Sequence, residues 1–391
     1  MTMLWAGFVL SLAVILLISR KNLPLGLIFG AVVLGLFAIP ISAVIEQIRL
    51  TVLNPTILIL AVAMGLIPLL GGTMKQSGQI DDLINNVRFS RRFVLPFSAA
   101  LMGLLPMPGG ALLSAPIVDR AGEGVSGELK ALINVWYRHL FILIYPLEPA
   151  LIVATRMSNL DIYVAILYIV PFAVLAAILG YWFFLRRVTG TPRFVGEFSA
   201  RKLFVPLIII TIAPILDFSL KKGIDMGAVA TLIGVVTAIV LSLAFSKKRC
   251  DIVPLIKKAK PWNFSLIIIG MFLYQHIFEQ TNAGEAIAQL PLPLLPLSVT
   301  AGFLLGLFTG RVQLPASIII PIYLGSGNSI SPGIFALLYV GVYFGYIMSP
   351  AHPCVVVTCE FFRTSIRRLI LGLIWATLIV FALVLGLSYL L

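Results

Sequence analysis

A glutamate, a histidine and an arginine are the residues of this sequence best suited by type and position to bind a ligand or an ion. Glu148 lies in YPLEPALIV, His352 in SPAHPCVVV, and Arg311 in TGRVQLP. All three stand among long apolar runs, where an ionisable side chain costs at least about 2.5–3.5 kcal/mol on insertion scales. Such residues are usually neutral, paired or hydrated, and they often mark a substrate or ion pathway.

Each of these side chains has two interpretations. Glu148 either carries a coupled proton or is a structural carboxyl bonded to a neighbouring turn, and Tyr145 and Pro146 are grouped with it as candidates for ion coupling. His352 either accepts a proton or caps a broken helix. Arg311 either pairs with an anionic substrate or extends its charge to the outer membrane interface.

Small and polar residues near two Pro and Gly interruptions complete the predicted substrate site. A serine there can donate its hydroxyl to a ligand or bond the carbonyl four residues earlier in its own helix. Gln313 can contact a ligand or stabilise its loop, and glycines let the backbone approach a ligand without obstruction by a Cβ atom. The predicted substrate-binding residues are Pro108, Gly109, Gly110, Ser114, Arg311, Gln313, Ser317, Ser349 and His352. No catalytic residue and no metal ligand is predicted.

The composition places these residues in a lipid bilayer. The chain has 391 residues, of which 60% are hydrophobic and 11% charged, against roughly 45–50% and about 25% in ordinary soluble domains. Ten apolar runs approach the roughly 20 residues that a helix needs to cross a membrane, which predicts an all-α integral membrane protein. The predicted spans are 3–19, 23–45, 51–72, 131–155, 161–185, 203–220, 225–246, 262–279, 333–360 and 369–390.

Two further apolar stretches, 93–118 and 295–324, are interrupted by Pro and Gly and are predicted to be re-entrant hairpins. With both hairpins entering and leaving on one side, 22 of the 28 lysines and arginines fall on the same face of the membrane. The positive-inside rule makes that face cytoplasmic. Both termini are then extracytoplasmic, and the protein is expected in the cell membrane.

The two halves of the sequence indicate an internal duplication. YPLEPALIV aligns with SPAHPCVVV, Pro55 and Gly78 match Pro261 and Gly284, and the hairpin glycines of LMGLLP and LLGLFTG match as well. Five crossings in each half require the second unit to be inverted, and inverted repeats with discontinuous helices are typical of secondary transporters. The predicted division is 1–190 (three helices, hairpin 93–118, broken helix 131–155, helix 161–185), a cytoplasmic linker 191–202, and 203–391 (three helices, hairpin 295–324, broken helix 333–360, helix 369–390).

The proline breaks explain how such a chain could bind charged ligands. A proline frees backbone carbonyls that can coordinate a cation, whereas the N-terminus of a half-helix attracts an anion. Arg138 and His139 precede the first break by two turns and are expected to form a helix-interior pair or an interface anchor.

The sequence lacks the motifs that characterise other functional classes. The sequence contains no GxxxxGK[ST] phosphate loop, no HExxH zinc motif and no GxSxG elbow, so neither an ATPase nor an intramembrane enzyme is predicted. Cys250, Cys354 and Cys359 have no metal-like spacing. The basic residues lie in short clusters between apolar runs and indicate topology rather than a nucleic-acid partner. No cofactor is expected.

PMPGGALLSAP and YFGYIMSPAHP resemble a family of ten-helix prokaryotic membrane proteins within the ion-transporter superfamily, which includes gluconate permeases, divalent-anion sodium symporters and TRAP large subunits. The resemblance implies a homodimer with a scaffold and a moving transport domain, working as an elevator, and an organic anion carried with Na⁺ or H⁺. The sequence departs from the sodium-dicarboxylate branch because no Ser-Asn-Thr signature stands at either hairpin tip, and the position of Glu148 favours protons.

The expected function is secondary active transport of a small anionic solute coupled to H⁺ or Na⁺. The alternatives are a permease subunit that needs an extracytoplasmic binding protein, as in TRAP systems, and a channel with polar re-entrant loops.

Overall fold

A computed structural model describes residues 2–104, 111–191, 197–248, 250–289 and 291–391 of the chain. These residues form twenty α-helices and one π-helical turn, without any β-strand. The first ten helices are α1 Thr2–Ser19, α2 Leu23–Ala38, α3 Ile41–Val52, α4 Pro55–Gln76, α5 Gln79–Asn86, α6 Arg91–Gly103, α7 Ala111–Ala121, α8 Gly127–Leu143, α9 Pro149–Met157 and α10 Ile162–Gly180, which the π-helical turn Tyr181–Leu185 extends. The last ten are α11 Ala200–Ile224, α12 Gly227–Ala244, α13 Ile252–Ala259, α14 Pro261–Glu279, α15 Ala283–Ala288, α16 Leu294–Thr309, α17 Gln313–Gly325, α18 Pro332–Ile347, α19 Pro353–Phe362 and α20 Ile366–Ser388.

The helices have the lengths and surfaces of a membrane protein. Five of those described, namely α4, α10 with its π-helical turn, α11, α12 and α20, are long and apolar enough to cross a bilayer. Their outer faces carry bare apolar side chains, such as Leu167, which is 69% exposed, and Ile178, which is 59% exposed. So much contiguous apolar surface is unfavourable in water but suits contact with lipid. The chain is therefore an all-α membrane protein.

The predicted span 23–45 is wrong as a single helix. α2 ends at Ala38, and the extended pair Ile39 and Pro40 separates it from α3, because proline cannot donate the next helical hydrogen bond. α3 carries an exposed ion pair between Glu46 and Arg49 with an N–O distance of 2.8 Å, so it is amphipathic rather than membrane-spanning. The short helices α5, α13 and α15 were not predicted either.

The last ten helices repeat the order of the first ten. In both halves two paired helices are followed by a short helix, a long helix and another short helix, and then by two pairs of half-length helices and a final long helix. Helix packing follows the same scheme: α1 packs on α2 as α11 packs on α12, α6 on α8 as α16 on α18, and α2 on α14 as α12 on α4. Helices at the same place in the two halves thus have the same kinds of neighbour.

Two glycines at matching places allow unusually close helix packing. A Cβ atom on Gly103 of α6 would lie 2.1 Å from the carbonyl oxygen of Arg138 in α8. A Cβ atom on Gly306 of α16 would lie 2.3 Å from the carbonyl oxygen of Val342 in α18. Only glycine fits against another backbone at such distances. These contacts fix each half-length helix pair against the broken helix that follows it.

Candidate ligand cavity at the helix breaks

A cavity of about 480 Å³ lies where the α8–α9, α16–α17 and α18–α19 connections approach the starts of α2 and α14. Its volume is in the range of about 300–1,000 Å³ that small-molecule sites occupy. The wall carries several polar and ionisable side chains in an otherwise apolar region, among them Arg138, His139, Glu148, Arg311, Gln313 and His352. This cavity is the candidate ligand site.

The two helix breaks place an ionisable residue at the start of each half-helix. α8 ends at Leu143 and α9 begins at Pro149, and α18 ends at Ile347 before α19 begins at Pro353. Proline suits the first position of a helix because its missing N–H would have no partner there. The residue before each proline is the N-cap, which is Glu148 in the first break and His352 in the second. Both side chains therefore lie at the positive end of a half-helix.

Glu148 is buried, with 7% of its surface exposed, and its carboxyl oxygen has two partners. Oε2 accepts a hydrogen bond from the backbone N–H of Leu151 at 2.5 Å, which caps α9. The same oxygen accepts from the Tyr339 hydroxyl of α18 at 3.0 Å. The carboxyl group thus ties the first break to the helix that leads into the second.

His352 is 1% exposed and lies in a group of aromatic rings. Its ring centroid is 4.0 Å from that of Tyr346 and 4.7 Å from that of His139. Neither ring nitrogen of His352 has a hydrogen-bond partner of good geometry among the described residues, although the Tyr346 backbone is close enough to interact. The Tyr343 hydroxyl donates to the carbonyl oxygen of His139 at 2.8 Å, which joins α18 to α8.

Arg138 is a buried cation on the cavity wall, with 3% of its surface exposed. Its Nη1 donates to the carbonyl oxygen of Met102 at 3.0 Å, and its Nε has no partner in the described part of the chain. Within that part no carboxylate forms an ion pair with it. A guanidinium has five N–H donors, so most of its hydrogen-bonding capacity remains for a ligand.

The loop of the second helix pair contacts the second break directly. Gly310 has a φ of +62°, and a Cβ atom on it would lie 2.7 Å from the backbone nitrogen of His352. A side chain would therefore be excluded both by the left-handed backbone and by the contact. This approach brings the next residue, Arg311, and Gln313 at the start of α17 onto the cavity wall.

The structure brings together four of the residues predicted from sequence and leaves others outside. Glu148, Arg311, Gln313 and His352 line the cavity. Five predicted residues are absent from its wall: Ser114, Ser317, Ser349, Tyr145 and Pro146. Pro108, Gly109 and Gly110 lie outside the described residues.

The three serines absent from the wall make local contacts, and Tyr145 contacts another helix. The Ser114 and Ser317 hydroxyls donate to the carbonyls of Ala111 and Leu314, three residues earlier, at 3.4 and 2.8 Å. Ser349 Oγ accepts from a backbone N–H in its own turn. The Tyr145 hydroxyl points to α11, where it donates to the Ile210 carbonyl at 3.4 Å.

Arg138 and His139 do not belong to the site predicted from the sequence. They were expected to form a helix-interior pair or an interface anchor, and the structure puts both on the cavity wall. A signal was present, because an arginine and a histidine in an apolar span shortly before a proline break are costly unless they serve a polar cavity. Tyr339, Tyr343 and Tyr346 gave no comparable signal, since an uncharged tyrosine does not carry the insertion cost of a charged side chain.

Comparison with known proteins identifies the family of the chain. Residues 4–390 match the family described as protein of unknown function (DUF401), and because the match covers nearly the whole chain, the chain belongs to that family. No curated protein is detectably similar to it in sequence.

Proposed function

We propose that the protein is a secondary active transporter of a small organic anion, coupled to H⁺ or Na⁺. The observation that carries this proposal is Arg138, a buried guanidinium on the wall of a solute-sized cavity without a carboxylate partner in the described residues. A buried charge without a counter-charge is strongly unfavourable. An anionic solute in the cavity would supply that counter-charge.

The chemistry of the wall favours a carboxylate. A guanidinium binds a carboxylate through two parallel N–H···O bonds, which gives both strength and a defined orientation. Arg311 provides a second cation on the same wall, and Gln313 provides an uncharged donor and acceptor. A hydroxy acid or sugar acid would use all three groups.

The order of the helices supports transport rather than passive binding. The repeated helix order, the matching helix neighbours and the glycine contacts of Gly103 and Gly306 support two repeats, with the breaks at equivalent places. We infer that the repeats are inverted and span the membrane with ten crossings and two re-entrant hairpins. In transporters of that design the solute binds where the broken helices meet, and the resemblance to the ion-transporter superfamily adds an elevator mechanism and a homodimer.

The residues at one end of the cavity indicate toward which side of the membrane the cavity opens. Its wall reaches the exposed side chain of Lys21 and the start of α14 at Asn263. Both belong to the basic face, which the positive-inside rule assigns to the cytoplasm. We infer an inward-facing state of a cell-membrane protein whose two termini are extracytoplasmic.

Glu148 is the proposed carrier of the coupled proton. It lies on the wall with Arg138 and bridges Leu151 and Tyr339, so a change in its protonation would alter contacts in both broken helices. Sodium coupling is the alternative, in which carbonyls freed at the two breaks hold the ion.

A thermal-shift screen of the purified full-length protein tests the proposal. The ligands are small carboxylates, sugar acids, phosphate and sulfate, each with and without Na⁺ at two pH values. Stabilisation follows RT ln(1 + [L]/Kd), which is about 2.7 kcal/mol at a hundredfold excess over Kd. An organic anion that stabilises the protein, and is then taken up by proteoliposomes, is the expected result. Stabilisation by no organic anion would overturn the proposal.

A further inference from the structure

Two histidines and a cysteine lie together on the cavity wall. The side-chain donor atoms of His139, His352 and Cys354 are all within 4.8 Å of one another. The three residues come from different elements, namely α8, the second break and the first turn of α19. We propose that they form a binding site for a thiophilic transition-metal ion of the Zn²⁺ class. This proposal does not depend on transport.

The donor spacing is close to that of a tetrahedral ion. Zn–N bonds of about 2.0–2.1 Å and Zn–S bonds of about 2.3 Å place the donors roughly 3.3–3.8 Å apart. The donor atoms lie up to 4.8 Å apart, and rotation of the side chains can bring them to the shorter distances that an ion requires. Imidazole and thiolate together favour Zn²⁺ or copper over Mg²⁺ and Ca²⁺, which prefer oxygen donors.

His139 already has the hydrogen bond that typical metal ligands make. Its Nδ1 lies 2.5 Å from the carbonyl oxygen of Val135, and since a carbonyl only accepts, Nδ1 carries the hydrogen. Nε2 therefore keeps its lone pair, apart from a long contact of 3.4 Å with the Tyr346 hydroxyl. A backbone carbonyl that fixes the tautomer and ring orientation in this way is the usual outer partner of a metal-bound histidine.

His352 supplies an independent observation. It is 1% exposed, and neither of its ring nitrogens has a partner of good geometry among the residues that the structure describes. Buried polar atoms are nearly always hydrogen-bonded, and one without a partner in the protein points to a bound water or ion. A ring nitrogen that faces another histidine and a thiol would be satisfied by a metal ion.

The site leaves one coordination position for a small ligand. Three protein donors around a tetrahedral ion leave a fourth position, and Cys354 and both histidines line the cavity. A Zn²⁺ ion bound to a thiolate has a net charge of +1, so with Arg138 it would strengthen the attraction of the cavity for an anion. Water or a carboxylate oxygen can complete the coordination.

The test is metal binding by the purified full-length protein after treatment with a chelator and dialysis. Zn²⁺ alone is the probe, its content is measured by mass spectrometry, and Co²⁺ replaces it for absorption spectra that report a thiolate ligand. We expect one bound ion per chain and a sulfur-to-metal charge-transfer band with Co²⁺. Cys354→Ser and His352→Ala should each weaken binding by at least about tenfold and, for Cys354→Ser, remove the band.

Cys359→Ser is the matched control, because Cys359 is a free cysteine of the same helix and lies off the cavity wall. It should bind as the unmodified protein does. His139→Ala is a second ligand variant, and size-exclusion profiles identify any variant that fails to fold. Absence of stoichiometric Zn²⁺, or unchanged binding by Cys354→Ser, would overturn the proposal. A protein that binds Zn²⁺ but no organic anion would refute the transport proposal alone.

Discussion

The two broken helices have the same architecture but opposite polar chemistry. In the first break Glu148 has two hydrogen-bond partners, the N–H of Leu151 and the Tyr339 hydroxyl. In the second break His352 occupies the matching place before a proline and has no partner of good geometry in the described residues. The first N-cap side chain is therefore satisfied within the protein, whereas the second keeps its hydrogen-bonding capacity.

The helices leading into the breaks differ in the same way. α8 carries Arg138 and His139, whereas α18 carries Val342 and Tyr343 at the corresponding places. The matching residues even meet, since the Tyr343 hydroxyl donates to the carbonyl of His139. α8 thus supplies a buried cation and a histidine, whereas α18 supplies an apolar and an aromatic side chain at the corresponding places, so similar backbones carry different polar chemistry.

The largest expected effect is the loss of proton-coupled uptake when the glutamate of the first break is replaced. Glu148→Gln keeps an oxygen for Leu151 and Tyr339 but cannot release a proton, so uptake driven by a pH gradient should be abolished while solute binding remains. Glu360→Gln is the control, because Glu360 is an exposed carboxylate of α19. This variant should transport normally. Proteoliposome uptake with and without the gradient gives the answer, and gradient-driven uptake by Glu148→Gln would exclude the glutamate as proton carrier.

A smaller effect, a loss of stability, is expected when the close-packed glycines at matching places of the two halves are replaced. Gly103→Ala and Gly306→Ala each force a Cβ atom onto a backbone carbonyl, and each should destabilise the protein by about 1–3 kcal/mol. Gly386→Ala in α20 meets nothing within 4 Å and should be neutral or slightly stabilising. Thermal unfolding of the three variants measures this, and a loss in one half only would argue against equivalent packing.

The smallest effect concerns the bridge between the breaks. Tyr339→Phe removes the hydroxyl that donates to Glu148 and should lower the free energy of unfolding by about 1–1.5 kcal/mol. Tyr168→Phe removes a hydroxyl from an exposed ring and should change little. Equal stability of the two variants, measured by chemical unfolding, would show that the bridge contributes nothing.

The sequence predicted the membrane class and the positions of the breaks because prolines and long apolar runs act locally. It missed α3 because Pro40 stands within a continuous apolar stretch, and it missed the other short helices because their amphipathic pattern spans only two turns. The approach of His139 to Cys354 could not be predicted, since more than two hundred residues separate them and only tertiary packing joins them. Arg138 could have been included in the predicted site from its charge alone.

The most direct test of the central claim is the affinity of Arg138→Gln for the organic anion found in the screen. Loss of a charge-assisted hydrogen bond of about 1.5–3 kcal/mol should weaken binding roughly 10- to 100-fold. Arg156→Gln removes an exposed arginine at the end of α9 and should bind as the unmodified protein does. Isothermal calorimetry on both variants measures the difference. Equal affinity of Arg138→Gln and the unmodified protein would contradict an anion site built on this buried guanidinium.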